Sequence, residues 1–86
     1  MEHYLAELYL SRLARSDLAA AARRVEAAAA ELTREGSATR YLRTIFVPED
    51  ETCFYLFEAE SAETVASVGG RAQLTFERVL EAVTHA

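Results

Sequence analysis

Arg43 is the residue whose type and position most clearly indicate recognition chemistry. It is a charged residue within the run 41–47, which otherwise holds only apolar, aromatic and threonine residues. A guanidinium withdrawn from water needs a carboxylate or an anionic partner, because an unpaired buried charge is costly. Arg43 is therefore predicted either to form a structural ion pair with Glu7 or Glu58, or to hold an anionic ligand.

The two histidines of the sequence, His3 and His85, are the candidate metal ligands. If the first and last strands are antiparallel neighbours, these imidazoles lie close together, with Glu2 or another carboxylate as a third donor. Nitrogen donors of this kind suit nickel or zinc, so the pair predicts a weak nickel or zinc site. The alternative is a pair of solvated histidines, because chain ends are usually poorly ordered. The sequence indicates no other cofactor.

No pattern in the sequence assigns a catalytic residue. Cys53 is the only cysteine and has neither a second cysteine nor a histidine nearby in sequence, so we expect a small buried apolar residue rather than a nucleophile. The acidic residues 49–51 lack the spacing of a calcium loop and are expected to form a solvated turn. Serine-hydrolase, zinc-protease and phosphate-loop motifs do not occur.

Composition limits the class of protein. A chain of 86 residues, 51% hydrophobic and 27% charged, predicts one globular domain spanning 1–86. The net charge of -5 argues against a nucleic-acid partner, because phosphate binding depends on clustered basic residues. The N-terminal residues do not resemble a signal peptide, and no apolar run approaches the ~20 residues that span a bilayer. We therefore expect a cytoplasmic protein without a membrane partner.

The elements that must position these side chains centre on a β-hairpin over 40–59. Two strand-like runs flank the polar segment 48–51, which contains the only proline. A loop of that length predicts the facing pairs Val47 with Thr52, Ile45 with Phe54, Arg43 with Leu56, and Tyr41 with Glu58. Both faces of this hairpin are largely apolar, so both need a cover. Helices are expected to cover one face, and a ligand, a second subunit or both to cover the other.

The rest of the chain predicts a strand and two helices around this hairpin. Residues 3–10 alternate as a strand, and a long alanine-rich helix follows the start signal Ser16-Asp17 and ends at Gly36. Its predicted core stripe consists of Leu18, Ala22, Val25, Ala29 and Leu32. A second helix over 62–68 is predicted to begin at the N-cap Ser61 and to end at Gly69-Gly70.

The last segment, 76–84, has two interpretations. Phe76, Val79, Leu80 and Val83 recur at helical spacing, which favours a helix. A final strand would instead complete the order βαββαβ, which is the ferredoxin-like α+β sandwich with a four-stranded antiparallel sheet. We predict the strand, and with it the sheet order 4-1-3-2 and both helices on one face.

This fold predicts which side chains the helices cover and which they leave open. The covered face is expected to hold Tyr4, Ala6, Leu8, Leu42, Phe46, Cys53, Tyr55 and Phe57. The uncovered face is expected to hold His3, Glu7, Tyr9, Tyr41, Arg43, Ile45, Phe54, Leu56 and Glu58. Apolar walls with a few convergent polar groups are typical of a small-molecule site. The predicted ligand-binding residues are Glu7, Tyr9, Tyr41, Arg43, Phe54 and Glu58. The alternative is that the same surface is only a dimer interface.

The chain resembles a family of small bacterial proteins that includes nickel-binding members. The resemblance lies in the start HYLAELY, the segment YLRT at 41–44, the acidic turn before TCFY at 52–55, the run EAES at 58–61 and the segment FERV at 76–79. It implies a ferredoxin-like fold, a final strand and dimeric assembly. Members of that family commonly carry histidine where this chain has Arg43, and another near Val68. The resemblance therefore implies weaker nickel affinity here than in those relatives.

The residues and the resemblance together favour a non-enzymatic homodimer that binds a small ligand or a metal ion on the uncovered face. The alternative is a small enzyme of the dimeric α/β-barrel kind, an isomerase, cyclase or cofactor-free oxygenase acting on an anionic molecule. In that case Arg43 would orient the substrate, and Glu7 or Glu58 would act as acid or base. A purely structural partner domain is the third interpretation.

Overall fold

Four antiparallel strands and two helices follow one another in the order βαββαβ. The computed structural model describes residues 1–86. The elements are β1 (Glu2–Tyr9), α1 (Leu18–Arg34), β2 (Thr39–Val47), β3 (Thr52–Ala59), α2 (Ala62–Arg71) and β4 (Arg78–Ala82), with short 3-10 segments at Arg12–Asp17 and Pro48–Asp50. The sheet order is β2-β3-β1-β4, which is the order of a ferredoxin-like fold. The predicted fold class, the strand order and the final strand are confirmed.

The core lies between the two helices and one face of the sheet. In β3 every second residue is buried, so this strand alone contributes Cys53, Tyr55, Phe57 and Ala59. Val25, Ala28, Ala29 and Leu32 of α1, Val65 and Val68 of α2, Ala72 after α2, and Ala6 and Leu8 of β1 complete the core. Burying a side chain of phenylalanine size contributes roughly 1.5–3 kcal/mol, so β3 is a main source of stability.

The first helix begins and ends slightly differently from the prediction. Ser16 is not its N-cap: Asp17 holds that position without a side-chain hydrogen bond, because the preceding residues already form a 3-10 turn. At the other end Gly36 has φ of 100°, as predicted for a C-terminal glycine. The amide of Ser37 donates to the Leu32 carbonyl at 2.9 Å, and that of Gly36 to Thr33 at 3.1 Å. These two bonds form a Schellman motif.

The second helix runs through the glycine pair that was predicted to end it. It begins at Ala62, where the hydroxyl of Ser61 accepts from the amide of Thr64 at 3.2 Å, and it continues to Arg71. A Cβ on Gly69 would lie 2.8 Å from the ring of Phe76, whereas one on Gly70 would meet nothing within 4 Å. Gly69 therefore permits close packing of an aromatic ring and does not stop the helix.

The segment after α2 explains why helical periodicity was misleading there. Phe76 precedes β4 and packs against Tyr55 and Phe57, with ring centroids 5.9 and 6.4 Å away. Its apolar character belongs to this anchoring contact and not to a helix face. The strand is shorter than the predicted 76–84 and comprises Arg78–Ala82. β4 pairs with β1 and forms one edge of the sheet.

A β-bulge in β2 changes which side chains reach each face. Ile45 opposes Phe54 and Arg43 opposes Leu56 as predicted, but Tyr41 opposes Phe57 and not Glu58, because Leu42 is the extra residue.

The bulge therefore turns Tyr41 toward the helices. Its ring centroid lies 6.3 Å from that of Tyr55, and its hydroxyl lies 2.6 Å from Thr44 Oγ1. The predicted placement of Tyr41 on the uncovered face, and of Leu42 beneath the helices, is wrong. The Tyr41 side chain thereby gains burial and a hydrogen bond, and the smaller Leu42 side chain lies on the uncovered face instead.

None of the helices has the length and apolar character needed to cross a bilayer.

Candidate functional site

The sheet surface opposite the helices, here called the open face, has an apolar centre and a charged rim. Register places its side chains in three cross-strand rows: Ile45, Phe54, Glu7 and Arg78; Arg43, Leu56, Leu5 and Leu80; and Arg40, Glu58, His3 and Ala82. Ile45 is 44% exposed and Leu80 37% exposed, values well above those of core residues. Exposed apolar side chains on one face of the sheet make this surface the candidate functional site.

A cavity of about 690 Å³ lies on this face. Its walls are formed by His3, Leu42, Arg43, Ile45, Leu56, Thr84, His85 and Ala86. The floor comes mainly from the edge strand β2, with Leu56 of β3 and His3 of β1, and the residues after β4 form one side. The volume falls within the ~300–1,000 Å³ that ligand pockets usually occupy.

Arg43 lines this cavity without an ion-pair partner in the chain. The two carboxylates predicted for it are held by other arginines. Glu7 Oε1 lies 3.2 Å from a guanidinium nitrogen of Arg78, and Glu58 accepts hydrogen bonds from Arg40. The predicted structural pair of Arg43 with Glu7 or Glu58 is therefore not formed, and Arg43 is exposed at the cavity rather than withdrawn from water.

Glu58 is the most strongly perturbed acid on the open face. Hydrogen bonding to the Arg40 guanidinium holds the pKa of Glu58 below its usual 4.5, against a smaller opposing effect of desolvation. Nε2 of His3 lies 3.8 Å from the second oxygen of the same carboxylate. An acid stabilised in its charged form is a poor proton donor at neutral pH, so Glu58 serves here as an anchor for Arg40.

The other predicted ligand-binding residues lie outside the cavity. Tyr9 is 61% exposed at the end of β1, where its amide donates to Glu77 Oε2 at 2.7 Å. Phe54 lies on the open face between Ile45 and Glu7, half-buried, beside the cavity rather than in its wall. Tyr41 packs into the core. Of the six predicted residues, Arg43 alone lines the cavity.

His3 and His85 both line the cavity, so the topology brings the two ends of the sequence to one place. No group of three or more histidine, cysteine, aspartate or glutamate side chains is arranged to hold a metal ion. Nickel or zinc in a protein site usually has at least three such donors, so His3 and His85 would need a further ligand to hold the predicted metal.

Cys53 is fully buried in β3, as predicted for a small apolar residue. Burial raises the pKa of its thiol, mainly through desolvation. Because the thiolate is the nucleophilic form, this position is unsuited to covalent catalysis.

Sequence analysis missed four residues that shape the open face. Leu42 was displaced to it by the bulge, and a pattern of period two gives no signal for an extra residue. Thr84 follows the last strand, where residue type alone indicates nothing. Arg40 and Arg78 neutralise the two candidate acids. Their roles follow from register, because Arg40 opposes Glu58 and Arg78 opposes Glu7 once the strands are paired.

Comparison with known proteins identifies the fold and no family. No protein-family model matches the chain, and no curated protein is a match. The crystal structure of SCO4226 from Streptomyces coelicolor A3(2) superposes with a TM-score of 0.81 at 20% sequence identity, over 98% of this chain and 99% of that one. A likeness at this identity supports the ferredoxin-like architecture over the whole chain.

Proposed function

We propose that the protein is a non-enzymatic homodimer that binds a small organic ligand on the open face of its sheet. The observation that carries this proposal is the cavity of about 690 Å³ with Arg43, an arginine without an internal partner, in its wall. Apolar walls with a small number of polar groups are the usual form of a ligand site.

The homodimer part of the proposal is supported by the layout of the open face. Interfaces combine an apolar centre with a polar rim, and here Leu5, Leu56 and Leu80 lie between the Glu7–Arg78 and Glu58–Arg40 ion pairs. The rim charges are satisfied within the chain, so Arg43 is the charge of this face that two meeting copies would leave for a ligand to pair. A second copy would also close the cavity from the side that one chain leaves open.

The enzyme alternative has less support. Acid–base catalysis at neutral pH needs a carboxyl group whose pKa is raised toward the working range. Both candidate acids are held by arginines, and the pKa of Glu58 is lowered. The nickel or zinc alternative would need a third donor, which a single chain does not supply.

Sedimentation equilibrium of two matched variants tests the homodimer. Ile45→Glu places a charge among the exposed apolar side chains of the open face, and Ala30→Glu places the same charge on the exposed side of α1, behind the opposite face of the sheet. We expect the wild type and Ala30→Glu to sediment as dimers and Ile45→Glu as a monomer with unchanged far-UV circular dichroism. A wild-type monomer at micromolar concentration would contradict the proposal, as would an Ile45→Glu dimer.

A further inference from the structure

We infer that the open-face cavity takes a small organic monocarboxylate with an apolar body. This inference rests on the proposed ligand-binding function and names the class of ligand. It combines the cation in the cavity wall with the apolar side chains around it.

The charge of the ligand follows from the pairing of the arginines. Three arginines lie on the open face. The charges of Arg40 and Arg78 are neutralised by Glu58 and Glu7. Arg43 is the one whose charge is not satisfied within the chain. A planar guanidinium presents two parallel N–H donors that match the two oxygens of a carboxylate. The site is therefore complementary to an anion and repels a cation.

A single negative charge suits this site better than two. Phosphate groups are usually bound by several cationic groups or by the amides of a glycine-rich loop. Arg43 is one free cation on a chain of net charge -5, and no such loop lies in the cavity wall. A monocarboxylate balances this one charge, whereas a dianion would leave an excess negative charge near Glu58.

The body of the ligand follows from the rest of the wall. Leu42, Ile45 and Leu56 lie next to Arg43 and supply an apolar floor, because the bulge brings Leu42 and Arg43 to the same face. Removing such surface from water favours binding roughly in proportion to the apolar area buried. A ligand with an alkyl or aromatic body would gain contact with this apolar part of the wall, and His3, Thr84, His85 and Ala86 line the rest of it.

Isothermal titration calorimetry with three probes tests the inference. Octanoate carries the acid and the apolar body, acetate carries the acid alone, and octylammonium carries the body with the opposite charge. We expect octanoate to bind and the other two to bind at least about tenfold more weakly, because acetate lacks the apolar body and octylammonium lacks the carboxylate that pairs with Arg43.

Three variants locate the binding site. Arg43→Ala should weaken octanoate binding by about tenfold or more, and Arg43→Lys should retain part of the affinity because it keeps the charge but not the paired donors. Arg23→Ala is the matched control, since this exposed arginine lies on α1 behind the other face of the sheet. It should bind octanoate like the wild type.

The outcomes separate this inference from the proposed function. Octylammonium binding as tightly as octanoate, or octanoate binding unchanged in Arg43→Ala, would overturn the carboxylate inference and leave ligand binding on the open face standing. Failure of octanoate to bind would overturn this inference as well, whereas a wild-type monomer in sedimentation equilibrium would contradict the proposed function.

Discussion

At the scale of single residues, the two adjacent glycines of α2 have opposite roles. We predict that Gly69→Ala destabilises the protein by about 1–3 kcal/mol, because the new Cβ would overpack against the ring of Phe76, 2.8 Å away. Gly70→Ala is the control in the same turn. Its Cβ meets nothing within 4 Å, so it should gain roughly 0.5–1 kcal/mol from improved helix propensity. Urea unfolding measures both, and equal effects of the two changes would contradict this role of Gly69.

Arg43 is predicted to contribute to binding and not to stability. Because it has no carboxylate partner in the chain, Arg43→Ala should change the free energy of unfolding by no more than about 0.5 kcal/mol. Arg71→Ala is the contrasting change, since Arg71 bridges Glu31 at 2.9 Å and Glu35 at 2.6 Å between the two helices. Thermal melts should show a lower melting temperature for Arg71→Ala alone. A large loss in Arg43→Ala would indicate a structural partner.

The pKa of Glu58 makes a prediction about pH. Its pKa in the folded protein lies below the ordinary 4.5 because Arg40 stabilises the carboxylate. Glu58 therefore makes its full contribution to stability above the pKa that it has in the unfolded chain. This contribution is lost as the pH falls through its lower pKa in the folded protein. Carboxyl NMR titration should therefore place Glu58 below 4.5 in the wild type and higher in Arg40→Ala. Identical titration curves in both proteins would rule out this pair.

At the scale of elements, the strands and their partners followed from residue pattern where alternation was unbroken. The run 52–59 alternates throughout, and β3 has the predicted faces. The prediction failed at Tyr41, because one unpaired residue reverses every side chain beyond it and leaves no mark in composition. It failed again at Gly69-Gly70, where the two glycines were predicted to end the helix. The helix continues through them, and Gly69 leaves room for the ring of Phe76.

The candidate site shows the same limit. Arg43 was identified because a charge in an apolar strand is visible in the sequence. The sequence did not show that Arg43 lacks a partner, because this depends on Glu58 and Glu7 pairing with Arg40 and Arg78 instead. Strand register decides which arginine lies opposite each acid. This register is known only once the strand pairing is known.

The start of α2 provides a test at this scale. We predict that Ser61→Ala lowers stability by about 1 kcal/mol, because its hydroxyl satisfies the amide of Thr64, which has no partner within the helix. Ser67→Ala is the matched control in the same helix. That hydroxyl bonds the carbonyl of Glu63 on the exposed side, and its loss should be nearly neutral. Denaturant unfolding that shows equal losses would contradict the capping role.

At the scale of the whole molecule, the open face is the feature that the proposed function must explain. A domain of 86 residues buries a modest core, and this one leaves Ile45 and Leu80 in water on the side without helices. A second copy and a bound acid would together cover that surface. The part of the face with the Glu7–Arg78 and Glu58–Arg40 ion pairs is suited to protein contact, and the part around the unpaired Arg43 is suited to a ligand.

Native mass spectrometry of the protein without an affinity tag, sprayed with octanoate, tests the central claim most directly. It reports the number of chains and the bound ligand in one spectrum. We predict dimers that retain octanoate for the wild type, and dimers without octanoate for Arg43→Ala. Single chains without octanoate, or dimers loaded equally in both proteins, would contradict the claim that the open face binds an organic acid through Arg43.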